Sequence, residues 1–321
     1  MLKSKRTIGV IIGLVLILGL SVSAAPSAAS DWVFTRPIEI MIPASLGGGL
    51  DTTLRAFQPF LERELGTSIV IDNRSGGSGA TGFTYLYSLP RDGYSFAFSS
   101  PSFIGPVVQG LFTVPLWESL IPMINLVKAE AMIFANPNAP FSNLEEMVEY
   151  VKANPGRVTI SIDTPMGISG ACFRAFAGQL GLEMRIIPSE SDESIISVIA
   201  GDIHTNLDTW TEAGVYVESG DLIAIATLTE GQSVIVPDVP SSATVGAPVS
   251  LGFFRYFLAL EGTPQGAIDA FVAAVQRASQ DEEWIAWLYD NGLCNNYVFG
   301  ADRLREFLDE TYIAFAEIFL Q

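Results

Sequence analysis

The sequence predicts a two-lobed α/β protein with a ligand cleft between its lobes. Three observations carry this: strand, glycine turn and helix alternate along most of the chain; the pattern occurs in two separate segments; and 49% hydrophobic residues in 321 supply enough apolar surface for two cores. The expected layout is a first α/β domain built from residues 31–125 and 252–321, with residues 126–251 forming the second.

The chain opens with Lys3, Lys5 and Arg6, then an aliphatic and glycine run from Ile8 to Leu20 and the small residues Val22, Ser23 and Ala24. This is the layout of a secretory signal peptide over residues 1–24, with an uncleaved signal anchor as the alternative against which the short apolar run speaks, and the mature chain is expected in the periplasm. Cleavage after Ala24 removes three positive charges and no negative ones, taking the net charge from −18 to −21. So acidic a chain is a poor partner for nucleic acid or an anionic membrane surface. Local backbone amides can still hold an anion.

The first unit starts with Ile38, Ile40 and Ile42, alternating as in a strand. Gly47 to Gly49 then turns the chain into a helix with Leu54, Phe57, Phe60, Leu61 and Leu65 on one face, stopped by Gly66. Ile69 to Ile71 is the next strand. A second glycine turn (Gly76, Gly77, Gly79, Gly82) leads into a helix through Phe83 to Leu89, and Tyr94 to Phe98 forms a strand ending in Ser99, Ser100, Pro101 and Ser102. Polar turns at strand ends are where open α/β sheets build their sites.

In the second unit, Leu126 to Ala135 reads as one apolar strand, Asn143 to Ala153 as a helix, and Val158 to Ile162 as a strand. The loop Asp163 to Gly170 leads into a helix through Phe173, Phe176 and Leu180; Met184 to Ile187, the end of the run Gly201 to Asp208, and Leu222 to Thr227 supply further strands around a short helix from Ser194 to Ala200. The aromatic run Leu251 to Leu260 follows, then helical stretches beginning near Pro264 and Ala301.

The signposts Arg36-Pro37-Ile38, Pro43 with Gly47-Gly48-Gly49 and Asp51, Asn73-Arg74 before the second glycine cluster, Asp92-Gly93-Tyr94, Asn154-Pro155-Gly156, Pro237-Asp238-Val239-Pro240 and Gly262-Thr263-Pro264 occur in that order. In this order, over nearly all of the mature chain, it resembles the substrate-binding proteins of tripartite tricarboxylate transporters, the Bug or TctC-like family. The resemblance implies a periplasmic-binding-protein-like fold that closes on a small organic acid and presents it to membrane permease subunits. It implies a carboxylate held by backbone groups in the turn containing Ser45, Leu46, Gly47, Gly48, Gly49 and Asp51. It also implies hydroxyl ligands at Ser99, Ser100 and Ser102, a second-lobe loop with Thr164, Met166, Gly167 and Ser169, and an acid at Asp208. Where the family commonly carries small hydroxyl residues ending in histidine, this chain has Asp163, Pro165, Met166 and Gly170, and Asp208 is followed by Thr209 and Trp210 rather than by asparagine. The groove reading the rest of the ligand is therefore expected to differ.

The residues themselves leave alternatives. Unpaired amides at a helix start suit an anion, and Gly47 to Gly49 either serves that purpose or is only a tight turn; a Gly48→Ala change is expected to weaken binding through bulk or loss of a positive φ. Asp51 fits an N-cap or turn brace better than a ligand, since its charge repels a carboxylate. Arg74 and Arg174 are the basic residues weighed as clamps, against surface pairing. Asp208 either accepts from a ligand hydroxyl or amine or braces its loop, and Trp210 is a candidate aromatic wall, as Phe254, Tyr256 and Tyr216 are less strongly.

The single histidine, His204, leaves no imidazole cluster for a metal, and no cofactor is expected; the Gly47 to Gly49 spacing does not fit a dinucleotide fingerprint. With no Gly-x-Ser-x-Gly elbow, the serines do not suggest an enzyme. Cys172 and Cys294 are expected to be unpaired thiols. A monomer is expected. A periplasmic sensor component remains the alternative to a transport receptor, since closure on a ligand serves either partner.

Overall fold

In a computed structural model of the chain, residues 32–112, 114–189, 191–293 and 298–320 are described. The predicted signal peptide and Cys294 lie outside them. Among the described residues Cys172 is a free, buried thiol, its pKa pushed up to about 12 by burial.

The strands form two sheets. The first contains β1 (Ile38–Ile42), β2 (Ile69–Asn73), β3 (Ser95–Ser99), β4 (Leu120–Ala129), β10 (Phe253–Leu260) and β11 (Phe299–Gly300), in the order β11-β4-β10-β3-β1-β2. β1 runs parallel to β2 and β3, whereas β10 is antiparallel to β3 and β4. The second contains β5 (Met132–Ala135), β6 (Thr159–Ile162), β7 (Arg185–Pro188), β8 (Thr205–Asp208) and β9 (Ile223–Thr227), in the order β7-β6-β8-β5-β9. The two-lobed α/β architecture is thus present.

The apolar run Leu126 to Ala135, expected as one strand, is two. Its first part ends β4 in the first sheet at Ala129, and after Glu130 and Ala131 the chain enters the second sheet at Met132. Hydrophobicity is continuous across this crossover because both sheets are buried there, so composition does not mark the break. The chain returns between β9 and β10. The helical stretch expected from Pro264 is also divided, into α9 (Gln265–Ala278) and α10 (Glu282–Asp290), with Asp281 capping the second by accepting from the Glu283 amide at 2.9 Å.

Helix α1 (Gly49–Leu65) packs with α9 and α10 on one face of the first sheet, around Leu54, Phe57, Leu61, Phe271 and Trp284. On the other face lie α2 (Ala80–Ser88), α3 (Ile104–Val108) and α11 (Ala301–Phe319), with the short α4 (Leu116–Ser119) preceding β4. The same apolar cluster runs on into the second lobe through α5 (Leu144–Ala153) and α6 (Ile168–Leu180), so the lobes share a hydrophobic seam. The opposite face of the second sheet carries α7 (Ser191–Ala200) and α8 (Trp210–Ser219).

Trp284 is fully buried, 4.7 Å from the Phe57 ring and stacked on Trp287 at 5.3 Å. Trp284→Ala is expected to lower unfolding free energy by about 3–5 kcal/mol in urea titration, and a cost below about 1 kcal/mol would contradict this packing.

Candidate functional site

The carboxyl ends of β1, β3, β6 and β8 lead into turns that face one another across the lobes, enclosing a cavity of about 230 Å³. From the first lobe it is lined by Ser45, Gly48 and Gly49, by the turn Ser75 to Gly79, by Ser99, Ser100 and Ser102, and by Arg255 of β10. From the second come Asp163, Thr164, Asp208, Thr209 and Glu212.

The first glycine turn owes its shape to Asp51. This carboxylate, 2% exposed, accepts from the Gly47 amide at 2.9 Å and from Arg55 Nε at 2.8 Å. Burial alone raises its pKa, but the bonds from Arg55 and Gly47 prevail and hold it below the usual value. Asp51 is a turn brace here and does not line the cavity. The left-handed φ belongs to Gly47, at 84°, while Gly48 is extended at φ −70° and an added Cβ there meets only the Ser45 carbonyl at 3.5 Å. Loss of a positive φ therefore does not apply to Gly48, and the bulk it would add toward a ligand in the cavity remains the expected reason.

Gly49 is the crowded position. Its amide donates to Glu212 Oε1 at 2.6 Å, across the lobes, and its carbonyl accepts from Arg255 Nη1 at 2.9 Å. Arg255 also bonds Thr53 Oγ1 and is only 2% exposed. A register shift between Arg255 and Tyr256, where β10 pairs with β4, re-aims the strand at this point. Phe253 and Arg255 line the cavity, while Phe254 and Tyr256 are core residues.

Glu212 also accepts from Thr209 Oγ1 at 3.0 Å and lies beside Asp208. Burial raises its pKa, yet Asp208, Arg255, Thr209 and the Gly49 amide together hold it below the ordinary glutamate value. Burial lowers the pKa of Arg255 against the pull of Glu212 and Asp208; arginine nevertheless stays charged at neutral pH. Asp163 opens onto the cleft, and its Oδ1 accepts from the Thr164 amide at 2.7 Å, from Thr164 Oγ1 at 3.2 Å and from Ser169 Oγ. Desolvation raises its pKa, with Glu212 adding repulsion.

The hydroxyl wall is self-linked: Ser99 Oγ donates to the Ser100 carbonyl at 3.1 Å and Ser100 Oγ to Ser102 Oγ at 3.3 Å. Of the expected site residues, Ser45, Gly48, Gly49, Ser99, Ser100, Ser102, Thr164 and Asp208 are brought together, whereas Leu46, Gly47, Asp51, Arg74, Met166, Gly167, Ser169 and Trp210 do not line the cavity. Arg74 is paired with Asp72 at 2.6 Å and lies over the Tyr85 ring at 3.3 Å. Trp210 packs against Gly214 and Gly292, Met166 backs onto Gly105, and Arg174 lies 5.7 Å over Phe319. His204 Nδ1 is 2.8 Å from Thr159 Oγ1, joining the turn before β8 to β6, and no metal-holding cluster occurs among the described residues. The sequence reading passed over Arg255, Glu212 and the Ser75 to Gly79 turn as site residues. The second turn had a signal, since it repeats the glycine pattern of the first.

Two consequences are measurable. A Cβ on Gly49 would lie 2.6 Å from Arg255 Nη2 and 3.0 Å from Glu212 Oε1. Gly49→Ala is expected to lower unfolding free energy by about 1–3 kcal/mol, against about 1 kcal/mol or less for Gly48→Ala; equal effects in parallel urea titrations would refute the crowding. For Asp163, a raised folded-state pKa means that its stability contribution is present at low pH and lost as pH rises through that pKa. Asp163→Asn keeps the Oδ1 acceptor without the charge, so it should melt higher than the parent at pH 7, the difference fading below pH about 4. A lower melting temperature at pH 7 would show that the carboxylate stabilises the loop.

Against known proteins, residues 53–318 match the model of the tripartite tricarboxylate transporter family receptor, TctC. The chain is 26% identical to Protein BugT of Bordetella pertussis over 73% of its own length and 74% of that protein's. Among solved structures it is similar to malate-bound MatC of Rhodopseudomonas palustris (20% identity, 88% and 99% of the two chains, TM-score 0.78). An adipate-bound protein of the same organism is likewise similar (19% identity, 90% and 97%, TM-score 0.81). With the family model spanning most of the chain and the two-lobed fold in agreement, this protein belongs to the tripartite tricarboxylate transporter receptor (TctC) family.

Proposed function

We propose that the chain, exported by its N-terminal signal peptide, captures a small organic acid in the cleft and delivers it to the membrane permease subunits of a tripartite tricarboxylate-type transporter. The observation that carries this reading is the cavity itself. Strand-end turns from both lobes meet around about 230 Å³, below the roughly 300–1,000 Å³ of drug-sized sites and suited to a short acid. Its first-lobe wall offers serine hydroxyls and the backbone of two glycine turns, which hold a carboxylate without a dedicated counter-charge. The malate and adipate bound by structural neighbours support the class. No helix among the described residues is long and apolar enough to cross a membrane.

The protein's part is binding. Ligand contacts made by both lobes stabilise the closed form, and linkage raises thermal stability on saturation. Titration calorimetry with short organic acids, including malate and adipate, and with the uncharged amide of each acid that binds tests the reading. An acid should bind and its amide should not. Equal affinity for an acid and its amide, or binding only of sugars or peptides, would overturn it.

A further inference from the structure

Helix α1 begins against a carboxylate supplied by the chain itself. The Glu212 carboxylate reaches across from α8, takes the Gly49 amide on one oxygen and Thr209 Oγ1 on the other, and faces Arg255. Arg255 is the only basic side chain lining the cavity among the described residues, and it is buried. An amide at a helix start beside a buried guanidinium is what a ligand carboxylate would seek. Here that position is filled.

We infer that Glu212 is a specificity-determining residue, a tethered carboxylate that occupies one anion position of the cleft and so restricts the ligand to a monocarboxylate whose far end donates hydrogen bonds. This rests on the reading of the cleft as an organic-acid site. A ligand carboxylate brought to Arg255 must displace Glu212 from the Gly49 amide and leave its charge beside Asp208 and Asp163. Stranding a half-buried carboxylate among others is unfavourable. The ligand's single carboxylate then belongs on the serine and glycine wall of Ser45, Ser99, Ser100 and the Ser75 to Gly79 turn. Its other end meets Asp163 and Asp208, which favour a hydroxyl or ammonium and repel a second carboxylate.

The test compares matched pairs by calorimetry: malate with 3-hydroxybutanoate, and adipate with 6-hydroxyhexanoate. Each pair differs by one carboxylate. The parent protein should prefer the monocarboxylate of each pair, and Glu212→Ala, which vacates the Gly49 and Arg255 position, should shift the ratio toward the dicarboxylate by about tenfold or more, a change of roughly 1.4 kcal/mol. Glu212→Gln keeps the shape but removes the charge, and it should shift the ratio in the same direction; it carries the test should Glu212→Ala fail to give a cooperative thermal transition. A parent that prefers dicarboxylates, or ratios unchanged in the folded variants, overturns the inference while leaving the organic-acid reading standing. Failure of every acid to bind any of the proteins overturns both.

Discussion

The structure turns on a positive charge placed where water barely reaches. Arg255 sits on β10, inside the first sheet and 2% exposed, and an unpaired guanidinium there would cost several kcal/mol. The Gly49 carbonyl and Thr53 Oγ1 accept from it, and the Glu212 and Asp208 carboxylates attract it electrostatically. Glu212 belongs to α8 of the opposite lobe, and the bond it accepts from the Gly49 amide beside this charge ties the lobes together. It also leaves no room for a side chain at the first residue of α1, and it gives the cavity three acids, Asp163, Asp208 and Glu212, for its one base.

The motifs carrying the family resemblance have physical reasons of their own. Arg36 pairs with Asp92 at 2.5 Å and lies 3.9 Å over the Tyr94 ring, while Tyr94 and Phe34 pack edge to face at 5.6 Å. Together these fasten the entry to β1 against the turn before β3. Asp51 fixes the turn after β1, and the Ser75 to Gly79 turn holds Ser78 at φ 51°, rare for a non-glycine residue, on the cavity wall. The first group secures the sheet edge and the second shapes the site, so their order along the chain is the order of strands and strand-end turns.

The fold was legible wherever a local period reports burial. Ile38, Ile40 and Ile42 recur at every second position because they share the face of β1 that packs on α1, and the face of α1 repeats because it covers the sheet. The crossover at Glu130 and Ala131 was not legible, because two buried strands joined end to end look like one. In the site, glycine turns and strand-end serines announce themselves through composition. Arg255 does not: one basic residue among aromatic neighbours carries no pattern, and its partners Gly49 and Glu212 are remote in sequence. Trp210 shows the converse, since it adjoins Asp208 in sequence, yet the turn into α8 directs it to Gly292 instead of the cavity.

The central claim is that an organic acid is held between the two lobes by the strand-end turns. A crystal structure of the protein grown with an acid that binds in solution tests it most directly. The account predicts the carboxylate within hydrogen-bond reach of the Ser99 and Ser100 wall or the Ser75 to Gly79 turn, with Glu212 still on the Gly49 amide. An acid bound outside this cavity, or touching one lobe only, would contradict it.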